Sequence, residues 1–225
     1  MPTNRRFLQR WISITLVAGP LLYLCVSFLD LPVAHWVKKN LFSIEEWHQR
    51  TTDLPDMLLT SVVLVTVAAG GIYFARRRKG IDDALTRLCH LVAWTAPVSF
   101  GMKQLLKLFF GRTTTRDWLE GHEAAAFHWF RGNEGWVGFP SGHMLVAAAL
   151  LAATARFFPW SRGWALVACA FLAVALMLTS YHFLSDVLAG VYFGLATEAT
   201  ISQLLFGDAP QVAGRGGCRA PDGCR

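Results

Sequence analysis

Charge is scarce in this 225-residue chain: 16% of residues are charged, 54% are hydrophobic, and the mean hydropathy is +0.38. Soluble domains carry about a quarter charged residues, so the shortage argues against a water-soluble globule. It also excludes a disordered chain and a coiled coil. Cysteine offers no framework either. Of Cys25, Cys89, Cys169, Cys218 and Cys224, three lie in apolar stretches, where the residue acts as a small hydrophobe. The other two lack metal-ligand spacing, so neither a disulfide miniprotein nor a zinc site follows. There is no Gly-rich nucleotide loop, no carboxylate cluster for a metal, no internal repeat and no room for a separate soluble domain. The net charge of +6 does not indicate nucleic acid, because the cations are distributed along the chain rather than clustered.

What is present is apolar sequence in long runs. A helix needs about 20 mostly apolar residues to cross a bilayer. Trp11–Leu29, Met57–Ala75 and Gly163–Tyr181 contain no charge. Leu88–Met102, Ser141–Ala155 and Val187–Phe206 read as three further spans with polar intrusions at Lys103 and Lys107, Arg156 and Glu198. The expected fold is therefore all-α: a polytopic bundle of six transmembrane helices over residues 1–206, followed by a flexible polar tail, 207–225. The first run is read as a retained helix rather than a signal peptide, since no small-residue cleavage site follows it before Asp30.

Lysine and arginine set the orientation. With both termini in the cytoplasm, the inner segments hold 13 of the 21 cations. Five of the others, Lys103, Lys107, Arg112, Arg116 and Arg131, sit in or beside one outer loop, which calls for a reason other than topology. Segment 30–56 reads as polar and interfacial, with Trp36 and Trp47 as anchors.

Three segments with chemical potential fall on that outer face. At the end of the third span, Lys107 and Arg112 lie five apart, and cations at that depth are costly unless paired. Arginine offers a planar fork to phosphate oxygens and lysine a point charge. Snorkelling or lipid-headgroup binding is the alternative, preferred for Lys103 and Arg131 and evenly weighed for Arg116. Pro140-Ser141-Gly142-His143 opens the fourth span; a helix N-terminus there favours an anion, Gly142 permits close approach, Ser141 adds a hydroxyl and His143 a proton. His182 and Asp186 are i and i+4 at the start of the sixth span, where a carboxylate would fix the imidazole tautomer and leave a nucleophile or base. The alternatives are an interfacial cap and a stabilising ion pair. Together the segments describe metal-independent phosphoryl transfer, with no cofactor. The remaining histidines, His35, His48, His90, His122 and His128, read as structural or interfacial. Trp129, Trp136 and Phe139 read either as guards of the site or as interface anchors.

These residues resemble the type 2 phosphatidic acid phosphatase superfamily over about residues 88–206. The middle motif matches at Pro140-Ser141-Gly142-His143 and the third at His182 and Asp186. Gly111-Arg112-Thr113 with Phe127-His128-Trp129-Phe130 resembles a bacterial subgroup with a shifted arginine in the first motif. The family's usual arginine positions hold Thr114 and Leu176 here, which makes Arg116 or Arg131 a substitute. The resemblance implies a phosphohistidine on His182, orientation by Asp186, and protonation of the leaving group by His143. It implies that Lys107, Arg112, Ser141 and Gly142 hold the phosphate, with Arg116 in reserve. The implied protein is a lipid phosphatase in the bacterial inner membrane with a periplasmic site. Undecaprenyl diphosphate, phosphatidylglycerol phosphate, phosphatidic acid and lipid A phosphates are its candidate substrates, and the oligomeric state is left open. A phosphotransferase on the same site, and a non-catalytic anion or lipid transporter using Glu198, are the alternatives.

Overall fold

The computed structural model describes residues 2–41, 54–121, 125–131 and 136–207. Trp47, His48, His122 and the tail beyond Gly207, with Cys218 and Cys224, lie outside them. The described chain is all-helical: α1 (Pro2–Leu24), a π-helical turn (Cys25–Leu29), α2 (Asp30–Leu41), α3 (Leu54–Arg78), α4 (Ala84–Phe110), α5 (Thr115–Leu119), α6 (Gly142–Phe157), α7 (Arg162–Leu178) and α8 (Leu184–Phe206). The helix expected to stop near Asp30 continues through the π turn into α2.

Three stretches are long and apolar enough to cross a membrane: Arg5–Asn40, Met57–Arg78 and Pro159–Leu178. Their large side chains point outward, as with Leu16, Val67 and Phe171. That is the pattern of helices whose solvent is lipid. The other three long helices, α4, α6 and α8, form the centre and turn their polar and small residues toward one another. Their lower hydropathy follows from that position: a face that meets protein need not be apolar all round.

Small residues bring the central helices close. A Cβ on Gly190 would lie 2.7 Å from the Ser141 carbonyl oxygen, and one on Gly194 would collide with the Leu145 carbonyl. The two glycines, four apart, let the α8 backbone rest on α6. Clusters at Val62, Ala96 and Val146, at Leu91, Ala153 and Ile201, and at Met144, Leu176 and Val187 fill the core. Leu176 is thus a core residue, and no cation stands where the family's arginine would. Glu198, considered above for transport, is bound by Arg156 through Nε at 2.5 Å and Nη2 at 2.9 Å, which accounts for a buried carboxylate in α8 without a transport path. His90 stacks on Tyr73, His35 packs edge-on against Trp118 and His128 packs against Trp136.

Candidate active site

The site forms where the last turn of α4, the loop after it, the start of α6 and the turn between α7 and α8 converge. Gly111, at φ +49°, ends α4 in the left-handed region. The chain then runs extended, so that Arg112 bridges both Phe127 and Val137. Gly138 donates its N–H to the Arg112 carbonyl at 2.6 Å and packs so closely on the Thr113 carbonyl that a side chain has no room. The Ser141 N–H donates to the Asp186 carbonyl at 3.0 Å. That bond ties the start of α6 to the start of α8.

A cavity of about 400 Å³ opens among these elements, lined by Leu58, Lys103, Gln104, Lys107, Thr114, Arg116, Asp117, Val137, Gly142, His143, Tyr181 and His182. Of the residues expected at the site, Lys107, Arg116, Gly142, His143 and His182 meet here. Ser141 lies directly behind, fully buried, with a hydroxyl that has no hydrogen-bond partner. Arg112 and Asp186 do not line the cavity. Each is buried to 1% exposure or less.

Arg112 is committed elsewhere. Its Nη2 donates to Asp30 Oδ2 at 2.8 Å, and its Nη1 donates to Asp186 Oδ1 at 2.6 Å and to Ser185 Oγ at 2.8 Å. Phe127 and Phe183 sandwich the guanidinium, their ring centroids 4.9 and 4.4 Å from Cζ. Burial opposes the charge, but Asp186 and Asp30 more than offset it and hold Arg112 above its ordinary range.

His182 is 4% exposed. Its Nδ1 sits 2.9 Å from the Gly138 carbonyl oxygen, an acceptor only, so Nδ1 carries the proton and donates. Nε2 is left with the lone pair. The expected acceptor, Asp186, has its Oδ2 3.8 Å from Nδ1 and receives the Phe183 N–H at 2.9 Å instead. Asp186 therefore acts on His182 through charge, and the backbone sets the tautomer. Burial pushes the His182 pKa below the ordinary histidine value, with Lys107 adding to the push; Asp186 and the Gly138 carbonyl pull the other way without cancelling it. The imidazole is neutral near pH 7.

Two further expectations change. Lys103, read as a snorkelling residue, is 7% exposed. Its stem fills the space above Gly142, where an added Cβ would come within 2.5 Å of Cδ, and its ammonium lies 4.4 Å from the Phe100 ring centroid. The missing side chain of Gly142 thus makes room for the lysine stem. Arg131 is exposed and away from the cavity. Sequence reasoning missed Gly138, Ser185 and Asp30. Only Asp30 carried a signal, a lone carboxylate at the end of an apolar run.

A family model described as the PAP2 superfamily matches residues 88–208, just over half of the chain. The chain belongs to the PAP2 superfamily. Curated relatives extend the likeness. The lipid A 1-phosphatase of Rhizobium johnstonii is 27% identical over 196 residues, covering 82% of this chain and 77% of its own length. The lipid A 1-phosphatase of Rhizobium etli is 26% identical over 196 residues, covering 82% and 81%. No solved structure gives a significant match. This PAP2 member is a lipid phosphatase of the membrane, a hydrolase by class. Its family match begins at Leu88, in α4, and so leaves out α1–α3.

Proposed function

We propose that the chain removes phosphate from a lipid at the outer face of the bacterial inner membrane, through a phosphohistidine on His182 and without a metal or other cofactor. The observation that carries the reading is the fixed tautomer of His182: with Nδ1–H held by the Gly138 carbonyl, the neutral imidazole presents Nε2 to a cavity that also holds Lys107, Arg116 and His143. The Nε2 lone pair attacks phosphorus and the phosphorus–oxygen bond to the lipid breaks. Protonated His143 gives its proton to the leaving oxygen. Water then attacks the phosphorylated imidazole, His143 takes a proton from it, and phosphate leaves. Lys107 and Arg116 hold the equatorial oxygens, with the Ser141 hydroxyl and the first N–H groups of α6 behind them. Arg112, the first choice from the sequence, has a different role here: it anchors Asp186.

Topology supports an outer site. Six helical rods, α1–α2 taken as one, carry the chain back and forth with both termini inside, and the cation excess then falls on the cytoplasmic side. Among lipid phosphates, the 1-phosphate of lipid A is the favoured substrate, because both relatives bear that activity in their names.

The test is phosphate release by the purified protein in detergent, offered lipid A, phosphatidic acid, phosphatidylglycerol phosphate and undecaprenyl diphosphate, with and without EDTA. Release from lipid A that persists in chelator and vanishes in His182→Ala is expected. Release that stops in chelator, or survives His182→Ala, overturns the mechanism. Label passing to a second lipid instead of water would mark a phosphotransferase.

A further inference from the structure

Asp30 belongs to no motif and lies outside the region matched by the family, yet it is 1% exposed and makes three hydrogen bonds to Ser185 and Arg112 beside the site. Its Oδ1 accepts the Ser185 N–H at 2.9 Å; its Oδ2 accepts the Ser185 hydroxyl at 2.5 Å and Arg112 Nη2 at 2.8 Å, which also forms the ion pair. The helix is locally rebuilt to deliver it. The π turn Cys25–Leu29 closes with the Asp30 N–H on the Cys25 carbonyl. The buried positions of this rod are Cys25, Asp30, Ala34 and Val37. An uninterrupted α-helix, at 3.6 residues per turn, would not put the first two on one face; the extra residue of the π turn does.

The result is a buried row of two carboxylates and one guanidinium. Asp30 and Asp186 share Arg112, so the row carries one net negative charge, and its Asp186 end lies 3.8 Å from His182 Nδ1. We propose that Asp30 is a positioning residue of the active site, sharing Arg112 with Asp186 so that negative charge remains beside His182 when the imidazole takes up the phosphoryl group. The proposal rests on the reading of His182 as nucleophile. As the Nε2–P bond forms and the bond to the lipid oxygen breaks, Nδ1 keeps its proton and the ring becomes a cation. The row beneath stabilises that cation. Were Asp30 neutral, Arg112 would cancel Asp186 and the support would go.

The other charges around both groups are fixed by the fold. His182 faces Asp186 from α8 and Lys107 from α4, and shares its cavity with Lys103, His143 of α6 and Arg116 and Asp117 of α5. Asp30 faces Arg112 and, on its own rod, Cys25; α7, packed on α2, has its only charged residue, Arg162, at the far end.

The experiment compares full-length wild type, Asp30→Asn, Asp30→Glu and His182→Ala in detergent, following phosphate release from lipid A against pH and each protein's thermal midpoint. Asp30→Asn should lower kcat about tenfold or more with KM within about threefold, and should move the acid limb of kcat/KM to lower pH, since less negative charge disfavours the imidazolium. A slower enzyme that stays unprotonated to lower pH is not what simple structural damage produces. Asp30→Glu should recover kcat and return the limb to its wild-type place. Wild-type kcat in Asp30→Asn, or an unmoved acid limb in a slowed one, overturns the proposal. Should Asp30→Asn fail to fold, a folded Asp30→Glu as slow as His182→Ala overturns it, and one with wild-type kcat and acid limb upholds it. Phosphate release by His182→Ala would instead sink the nucleophile reading itself.

Discussion

At the scale of single residues, the proposed chemistry depends on which nitrogen of His182 carries the proton. Nδ1–H is spent on the Gly138 carbonyl, and burial keeps the ring neutral. For a histidine whose folded pKa is depressed, the neutral ring is the favoured native form. Stability and nucleophilicity therefore hold at neutral pH and fall as pH drops below the ordinary histidine value through the depressed one. We expect the loss of kcat/KM that belongs to His182 to set in only as pH drops below about 6.5, while loss of rate on the basic side belongs to deprotonation of the acid, His143. A rate that already falls between pH 8 and 7 would contradict a neutral imidazole. The two arginines should separate cleanly. Arg112→Ala leaves Asp30 and Asp186 buried without their cation and should cost about 3–5 kcal/mol of stability. Arg116→Ala, on the cavity wall, should fold near wild type and lose about 100-fold in kcat/KM. Thermal midpoints and kinetics measured on both variants check the contrast. Gly138→Ala pushes a methyl into the Thr113 carbonyl. The loop must then shift, and a displacement of about 1 Å in the carbonyl that holds His182 should cost about 100-fold in kcat.

At the scale of elements, α6 and α8 act as one unit. Ser141 and His143 come from the start of α6, His182 precedes α8, and the Ser141 N–H on the Asp186 carbonyl fixes their spacing. The crossing depends on Gly190 and Gly194. Gly190→Val should cost about 1–3 kcal/mol by overpacking, and it should lower kcat as well, because the helix it displaces carries Ser141. A variant that loses stability yet keeps full kcat would show that the crossing does not set the site. These helices were legible as apolar runs. The outer end of α4, expected just past Lys107, lies at Phe110, but the end of the first rod was not legible: past Asp30 it continues as α2 to Leu41. There Asp30 faces protein while His35, Lys38, Lys39 and Asn40 are exposed, so hydropathy marks a boundary where the backbone continues.

At the scale of the whole molecule, three apolar rods surround a centre of three helices with polar inner faces. If both termini are cytoplasmic, a reporter active only outside the cytoplasm should be silent when fused after Lys79 and active when fused after Gly121. The reverse would place the cavity on the inner face and with it the substrate leaflet.

Composition and run length alone established an all-helical membrane protein, because transfer of a side chain into lipid depends on that side chain and hardly on its neighbours. Short motifs were enough to single out His143, His182 and Lys107, which the fold brings to one cavity. Partnership was settled only by tertiary structure. From the sequence Arg112 is the first choice of phosphate ligand and Arg116 the reserve; the fold buries the first between two carboxylates and turns the second to the cavity. Asp30, 82 residues from Arg112, could not be assigned from spacing at all. A buried charge takes its role from whatever group lies within a few ångströms, and that distance belongs to the packed chain rather than to the order of its residues.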